Sequence, residues 1–268
     1  MKIMSRTREI TREERIRAII SGYLMPTVTL ALLVGVWEVV CRIFEIPMWL
    51  LPSPSAIVVR LVEFWSLLLY HAYVTFYESL LGFFVAVVLA IPISIAIAYS
   101  RMLQNTIYPI LLVFQTVPKV AIAPVIVLWF GLGLESKIVI AFLVSFFVIV
   151  VNLTTGFLTA PPELIDIVRL LNAKKTQIFL KIRLPYAMPF FFSGLKSAIT
   201  LSIVGAVIGE FVASSEGLGY VILAAAPQLD TDIAFAAILM LSAIGLALFA
   251  TIHVLERLFI PWAFRETR

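Results

Sequence analysis

The chain has 268 residues, of which 62% are hydrophobic and 13% are charged, and its formal net charge is +4. Soluble globular domains are about 45–50% apolar and about 25% charged. A soluble fold of this length has too little interior for so many apolar side chains, so the excess is expected to face lipid. The basic residues lie between the apolar runs, which indicates membrane topology rather than a nucleic-acid surface.

Six apolar stretches are close to or above the length of about 20 residues that crosses a bilayer as a helix. These predicted spans are Tyr23–Phe44, Val74–Tyr99, Ile107–Leu128, Ile138–Phe157, Met188–Ala213 and Ile233–Leu255. The first is too long for a signal-peptide core and no small-residue cleavage site follows it, which predicts a retained span. The sequence therefore predicts an all-α integral membrane protein with about six transmembrane helices. Residues 20–262 would form its membrane domain, between cytoplasmic tails at 1–19 and 263–268.

Orientation follows from the distribution of lysine and arginine. With the N-terminus inside, fifteen of these residues lie in inner segments, and only Arg42, Arg60 and Lys137 lie outside. Because inner loops are enriched in basic residues, both termini are predicted to be cytoplasmic. The longest outer connection contains Ser53 and Pro54, a helix cap followed by a favoured first helical residue. The amphipathic stretch after them is predicted to lie along the outer membrane surface.

The third span contains Pro118 and Pro124, which remove backbone hydrogen bonds and predict a broken helix. A break inside a membrane is tolerated where protein or water covers it. Charged residues within spans are costly and mark function by default, although a lysine paired with a glutamate for packing is the alternative for Lys119. Serine and threonine in spans also often bond only their own helix. The residues predicted to line a polar path across the membrane are Gln115, Thr116, Lys119, Asn152, Thr200 and Glu210.

The inner connection at residues 161–185 is unusually apolar for a loop. Pro161, Pro162 and Glu163 favour a helix start, because proline suits the first turn and an acid suits the positive end of the helix dipole. Asn172 is placed to end this helix in the left-handed conformation. A second short, basic helix is then predicted to run to Pro185. Exposed apolar surface rimmed by charge predicts a docking site for another protein.

The sequence contains no G-x-x-x-x-G-K-[ST] phosphate-binding loop, no H-E-x-x-H zinc motif and no G-x-S-x-G nucleophile elbow. Its single cysteine and two separated histidines form no metal-ligand pattern. No catalytic residue and no metal site is therefore predicted, and an enzyme embedded in the membrane is the weakest interpretation.

The segment Asp166–Ala173, followed by Ile182–Pro185, resembles the coupling motif of binding-protein-dependent ABC importer permeases. In that family the pattern is Glu-Ala-Ala, three residues, Gly, about nine residues, then Ile-x-Leu-Pro. This chain departs from it with Asp166 in place of the glutamate and Asn172 in place of the glycine. Further segments resemble the nitrate, sulfonate and taurine branch, in the family's order. They are Leu51–Pro54, Val117–Pro124 running on to Gly133, and Glu210 with Ser215–Tyr220.

The resemblance implies a type I ABC importer fold with a cytoplasmic coupling helix. It implies a permease, most simply a homodimer in a bacterial inner membrane, that passes a small solute such as a nitrate-, sulfonate- or taurine-like anion or a vitamin precursor. Its partners would be an extracytoplasmic solute-binding protein and two cytoplasmic ATPase subunits that bind ATP and magnesium in its place. The implied ATPase-coupling residues are Glu163, Asp166, Arg169, Leu170, Leu171, Asn172, Ala173 and Pro185.

The competing hypothesis is a secondary transporter or channel that works without ATP. No inverted repeat is visible in the sequence, and the acid-rich relay within the membrane that a proton-driven carrier needs is absent.

Overall fold

The computed structural model describes residues 24–264, and within that range every regular element is a helix. The predicted tail at 1–19 and most of the one at 263–268 lie outside this range. The helices are α1 (Met25–Ile43), α2 (Pro54–Glu63), α3 (Trp65–Tyr99), α4 (Arg101–Thr116), α5 (Lys119–Phe130), α6 (Leu134–Leu158), α7 (Pro162–Leu170), α8 (Lys175–Ile178), α9 (Leu184–Ala213), α10 (Leu218–Ala225) and α11 (Thr231–Phe259). A π turn spans Phe179–Arg183, and 3-10 turns span Ala226–Gln228 and Pro261–Phe264.

Five helices of the described chain are long and apolar enough to cross a membrane, and the bent pair α4 and α5 makes a sixth candidate. This confirms the all-α class and the prediction of about six spans. The second span is longer than predicted, because α3 begins at Trp65 and has 35 residues. At a rise of about 1.5 Å per residue it reaches about 50 Å, well beyond a hydrocarbon core of about 30 Å.

The third span is broken, as predicted, and the two halves meet at an angle of 97°. Val117 and Pro118 adopt extended backbone conformations between α4 and α5. Proline lacks an amide hydrogen and disfavours helical geometry in the residue before it, which explains the break at this point. Pro124 lies inside α5, which continues to Phe130. Of the two prolines, only Pro118 breaks the span.

Helix α6 forms the centre of the bundle and packs most extensively against α9 and α3. Small residues allow this close approach: a Cβ added to Gly205 would lie 2.6 Å from the Cα of Ala141. Gly205 and Gly209 of the fifth span therefore serve core packing against α6. By contrast, α1 is largely exposed in the single chain: 6% of its apolar 18-residue stretch is buried, compared with 50% for α6.

A layer of shorter elements covers the predicted outer end. Ser53 caps α2 by accepting a hydrogen bond from the amide of Ala56 at 3.3 Å, which confirms the predicted helix start. Arg60 of α2 bonds Asp232 at the start of α11, with Nε and Oδ2 2.6 Å apart. Hydrogen bonds, chiefly to Asp232 and also to Glu63, hold the pKa of Arg60 above its ordinary value. This ion pair fixes α2 over the end of the last span.

Candidate functional site

The predicted docking segment contains a nine-residue helix, α7, with two different faces. Pro162 is its first residue and Glu163 lies in its first turn, as predicted. Ile165 is buried and belongs to a small apolar cluster with Ala160, Ile178 and Ile182. The other face carries Leu170, which is 84% exposed, and the next residue, Leu171, is 75% exposed. The helix is thus anchored to the chain on one side and presents leucines on the other.

The end of α7 is a Schellman motif built around Asn172. This residue has φ of +59°, which confirms the predicted left-handed conformation. Its amide donates to the carbonyl of Arg169 at 2.9 Å, and the amide of Ala173 donates to the carbonyl of Val168 at 3.0 Å. The two bonds satisfy carbonyl groups that a helix end would otherwise leave unpaired. They also set the direction in which the chain leaves α7.

The prediction of a separate second helix ending at Pro185 is wrong. Lys175 begins a helical stretch that continues through the π turn into the fifth span, as 38 residues from Lys175 to Val212. Pro185 is the second residue of α9. In a regular α-helix a proline ring clashes with the carbonyl four residues earlier, and the wider π turn before it gives the ring room. Helix α7 is therefore joined to a membrane span by one short turn.

The charged residues of α7 are exposed. Asp166 and Arg169 form an ion pair at 3.1 Å with side chains 67% and 60% exposed. Exposed pairs of this kind contribute little to stability, commonly about 0–1 kcal/mol. Glu163 is also exposed. These groups can exchange their partners with a bound protein at little cost.

Lys119 is the first residue of α5 and lies directly at the break in the third span. Its ammonium group donates to the carbonyl of Gln115 and stands 5.8 Å from the ring centroid of Phe147. Phe114 stacks on the same ring at 5.9 Å. Among residues 24–264 no carboxylate forms an ion pair with Lys119, so the alternative of a packing pair with a glutamate is not what the fold contains.

Three other predicted path residues bond the backbone of their own helices. Thr116 donates to Val113 at 2.8 Å, Asn152 to Val148 at 2.8 Å, and Thr200 to Ser197 at 2.9 Å. Thr116 is exposed, whereas Gln115, Asn152 and Thr200 are half-buried. They lie on α4, α6 and α9. These polar groups are therefore distributed over three helices.

Glu210 is almost fully buried near the end of α9, at 1% exposure. Oε1 of its carboxylate accepts from the hydroxyl of Thr75 at 2.6 Å, and Oε2 accepts from the amide of Gly219 at 2.5 Å. Two further amides at the start of α10 bond side chains of α3: Gly217 to Nδ1 of His71 at 3.0 Å, and Leu218 to Thr75 at 2.8 Å. Side chains of two spans therefore satisfy the amides that begin this short helix.

Close to this cap, Lys137 of α6 donates to Glu78 of α3 at 2.7 Å, and both side chains are buried. Sequence reasoning counted Lys137 only as an outer basic residue and missed the pair. A usable signal was present, because His71, Thr75 and Glu78 are four and three residues apart and so share one face of α3. Glu78, Lys137 and Glu210, with the turn at residues 217–219, form a buried polar cluster that joins α3, α6, α9 and α10.

The chain is similar to known transport permeases over most of its length. The profile of the binding-protein-dependent transport system inner membrane component matches residues 82–261. The formylaminopyrimidine transport permease protein of Halalkalibacterium halodurans is 35% identical over 89% of this chain and 96% of its own length. The riboflavin transport system permease protein of Chloroflexus aurantiacus is 35% identical over 88% of each chain.

More distant matches agree with these. The taurine transport system permease protein of Escherichia coli is 29% identical over 87% of this chain and 88% of its own length. A structure of the MetNI methionine ABC transporter in an inward-facing conformation superposes with a TM-score of 0.58. It is 18% identical and covers 72% of this chain and 97% of the matched one. At that identity the likeness establishes the fold, which is the type I permease fold.

Proposed function

Since the chain belongs to the family of binding-protein-dependent transport system inner membrane components and is the permease subunit of an ABC importer of small solutes, we propose that residues 161–185 couple it to a cytoplasmic ATPase dimer. One observation carries this proposal. Helix α7 exposes Leu170 and Leu171 beside a Schellman turn that leads directly into a membrane span. A push on α7 would therefore reach α9 without passing through a flexible loop.

The exposed leucines give the docking its driving force. Burying a leucine fully contributes about 1.5–3 kcal/mol, so the pair supplies about 3–6 kcal/mol to an interface that covers it. The sequence has no phosphate-binding loop of its own, and in this proposal ATP and Mg²⁺ bind only to the ATPase partner. Family membership also argues against a transporter or channel that works without ATP.

The rest of the assembly follows from the same proposal. A second copy of the chain forms the translocation pathway together with the first, in a bacterial inner membrane with both termini cytoplasmic. The solute-binding protein docks on the opposite side, where α2 and α10 lie. Within the pathway we place Lys119, Gln115 and Thr116, because they stand at the break in the third span, where an ammonium group meets irregular backbone. We exclude Glu210 from the proposed pathway residues, because both of its carboxylate oxygens bond other groups of the chain.

For the solute we propose a planar nitrogen heterocycle related to a vitamin precursor. Phe114 and Phe147 form a stacked aromatic pair beside Lys119, and planar rings bind well against such surfaces. The permeases for formylaminopyrimidine and riboflavin are also more similar to this chain than the taurine permease. A sulfonate is the second candidate, because the ammonium group of Lys119 has no carboxylate partner within residues 24–264 and favours an anion.

Capture of the ATPase tests the coupling proposal. The Leu170→Asp/Leu171→Asp variant should lose the ATPase in a pull-down, because two charges would replace the apolar contact. Leu132→Asp is the matched control, since Leu132 is also 75% exposed but lies between α5 and α6 on the predicted outer side. Equal capture by all three proteins would exclude α7 as the docking element. The solute class is decided by uptake measurements on the reconstituted importer. These compare riboflavin and formylaminopyrimidine with taurine.

A further inference from the structure

A cavity of about 400 Å³ lies between the end of α3, the turn after α7 and the start of α8. Three basic side chains line it: Arg169 from α7, Lys175 from α8 and Arg183 from the π turn. Tyr99 and Ile178 contribute to its wall. No carboxylate of residues 24–264 lines this cavity, so its lining carries three positive charges.

Arg183 is held in place at the cavity. Its Nη1 donates to the carbonyl of Ala98 at 3.1 Å, and its guanidinium carbon stands 5.5 Å from the ring centroid of Tyr99. That hydrogen bond uses one of the five donors that a guanidinium group carries. Lys175 is the first residue of α8 and is exposed. Its ammonium group and the remaining guanidinium donors of Arg183 favour an anion in the space between them.

One acid, Asp166, lines a neighbouring cavity of about 280 Å³. Arg169 and Arg183 also line that second cavity, and Asp166 pairs with Arg169 at 3.1 Å. This pair is exposed, so it compensates Arg169 only weakly. Lys175 and Arg183 remain as the uncompensated charges of the larger cavity. An anion bound there would join α7 to the ends of α3 and α9.

The position of the cavity relative to the membrane indicates which anion can reach it. Ala98 and Tyr99 are the last two residues of α3 and of the predicted second span, and Ser100 and Arg101 follow them, so we place the cavity at the inner surface of the membrane. Tyrosine and arginine side chains favour this level, and basic pockets between spans on the cytoplasmic side bind phospholipid head groups. Leu170 and Leu171 lie between two residues of the cavity wall in sequence but do not line the cavity themselves, so a protein partner bound to these leucines would contact a different face of the turn.

We propose that this cavity binds the phosphate of an anionic phospholipid, such as phosphatidylglycerol, from the inner leaflet. The bound head group holds Arg169, and with it the coupling helix, against the ends of α3 and α9. The inference rests on the proposed function for the side of the membrane and for the role of α7. It adds a dependence of coupling on lipid charge that the family assignment does not contain.

The test uses the complete importer in phosphatidylcholine vesicles with and without phosphatidylglycerol. The test variant is Lys175→Gln/Arg183→Gln, which leaves the coupling helix unchanged. The control is Arg101→Gln/Arg257→Gln, which removes the same charge from two exposed arginines on the predicted inner side that lie outside residues 161–185 and do not line the cavity. Phosphatidylglycerol retained after delipidation is measured by mass spectrometry, and solute uptake per ATP hydrolysed is measured in both vesicle types.

We expect wild type and control to retain phosphatidylglycerol and to gain coupling from it. The test variant should bind the lipid about tenfold or more weakly and show no gain, because Lys175 and Arg183 line the cavity and would bond the phosphate directly, whereas the control residues would not. Equal loss in both variants would show general surface attraction and overturn the site. If inorganic phosphate abolished the gain in coupling from phosphatidylglycerol, the cavity would instead be a site for free phosphate.

A third outcome would assign the cavity to the ATPase. In that outcome phosphatidylglycerol has no effect on coupling in any of the proteins, and only the test variant captures the ATPase more weakly. Failure of the proposed function gives a different pattern. In that case the chain would retain phosphatidylglycerol but capture no ATPase.

Discussion

The buried ion pair between Lys137 and Glu78 makes a quantitative prediction about stability. Its two charged atoms are 2.7 Å apart, and the side chains are 9% and 1% exposed. Lys137→Met removes the ammonium group and leaves the Glu78 carboxylate buried without its ionic partner. Breaking a buried pair on one side costs about 3–5 kcal/mol, so the free energy of unfolding should fall by about that amount.

A second substitution separates the charge effect from lost packing. Glu78→Gln in the Lys137→Met background removes the uncompensated charge, so the double variant should recover more than half of the loss. Asp166→Asn is the control, because it breaks a pair whose side chains are 67% and 60% exposed and should have no measurable effect. Unfolding is followed by circular dichroism as dodecyl sulfate is added to protein in mild detergent. A Lys137→Met protein within about 1 kcal/mol of wild type would refute the reasoning, because a pair this buried should cost more.

Three further predictions concern topology, the pathway and the outer turn. A cysteine at Asp230 should react with an impermeant thiol reagent in intact cells and one at Lys175 only after lysis, whereas labelling of position 175 from outside would reverse the orientation. Lys119→Ala should reduce solute uptake with unchanged ATPase capture, and normal uptake would place the pathway elsewhere. Gly217→Ala should lower stability by about 1–3 kcal/mol, because Gly217 has φ of +100° and a Cβ would collide with the Glu210 carboxylate. Gly35→Ala, at a helical position with open space around it, is the control and should not lower stability.

Local features of the chain were predictable from the sequence because their causes are local. Hydropathy over about 20 residues is enough to identify a span, and it identified all six regions. Pro118 alone accounts for the break in the third span, and Asn172 alone for the left-handed end of α7. Each depends on the backbone preference of one residue and its immediate neighbours.

Features that depend on distant parts of the chain were not predictable in the same way. Lys137 and Glu78 are 59 residues apart, and only the packing of α6 against α3 brings them together. The continuous helix from Lys175 into the fifth span was also missed. A proline at position 185 normally ends a helix, and sequence patterns give no sign of the π turn that accommodates it.

Under the proposed function, the turn at Asn172 transmits the ATP-driven movement of the ATPase to the membrane helices. The measurement is solute uptake per ATP hydrolysed by the importer in vesicles, for wild type, Asn172→Gly and Asn172→Val. Glycine adopts positive φ readily, so Asn172→Gly should keep the wild-type ratio, whereas a β-branched valine resists that geometry and should lower uptake about tenfold or more while hydrolysis continues. An unchanged ratio in Asn172→Val, with the assembly intact by pull-down, would show that this turn does not transmit the movement.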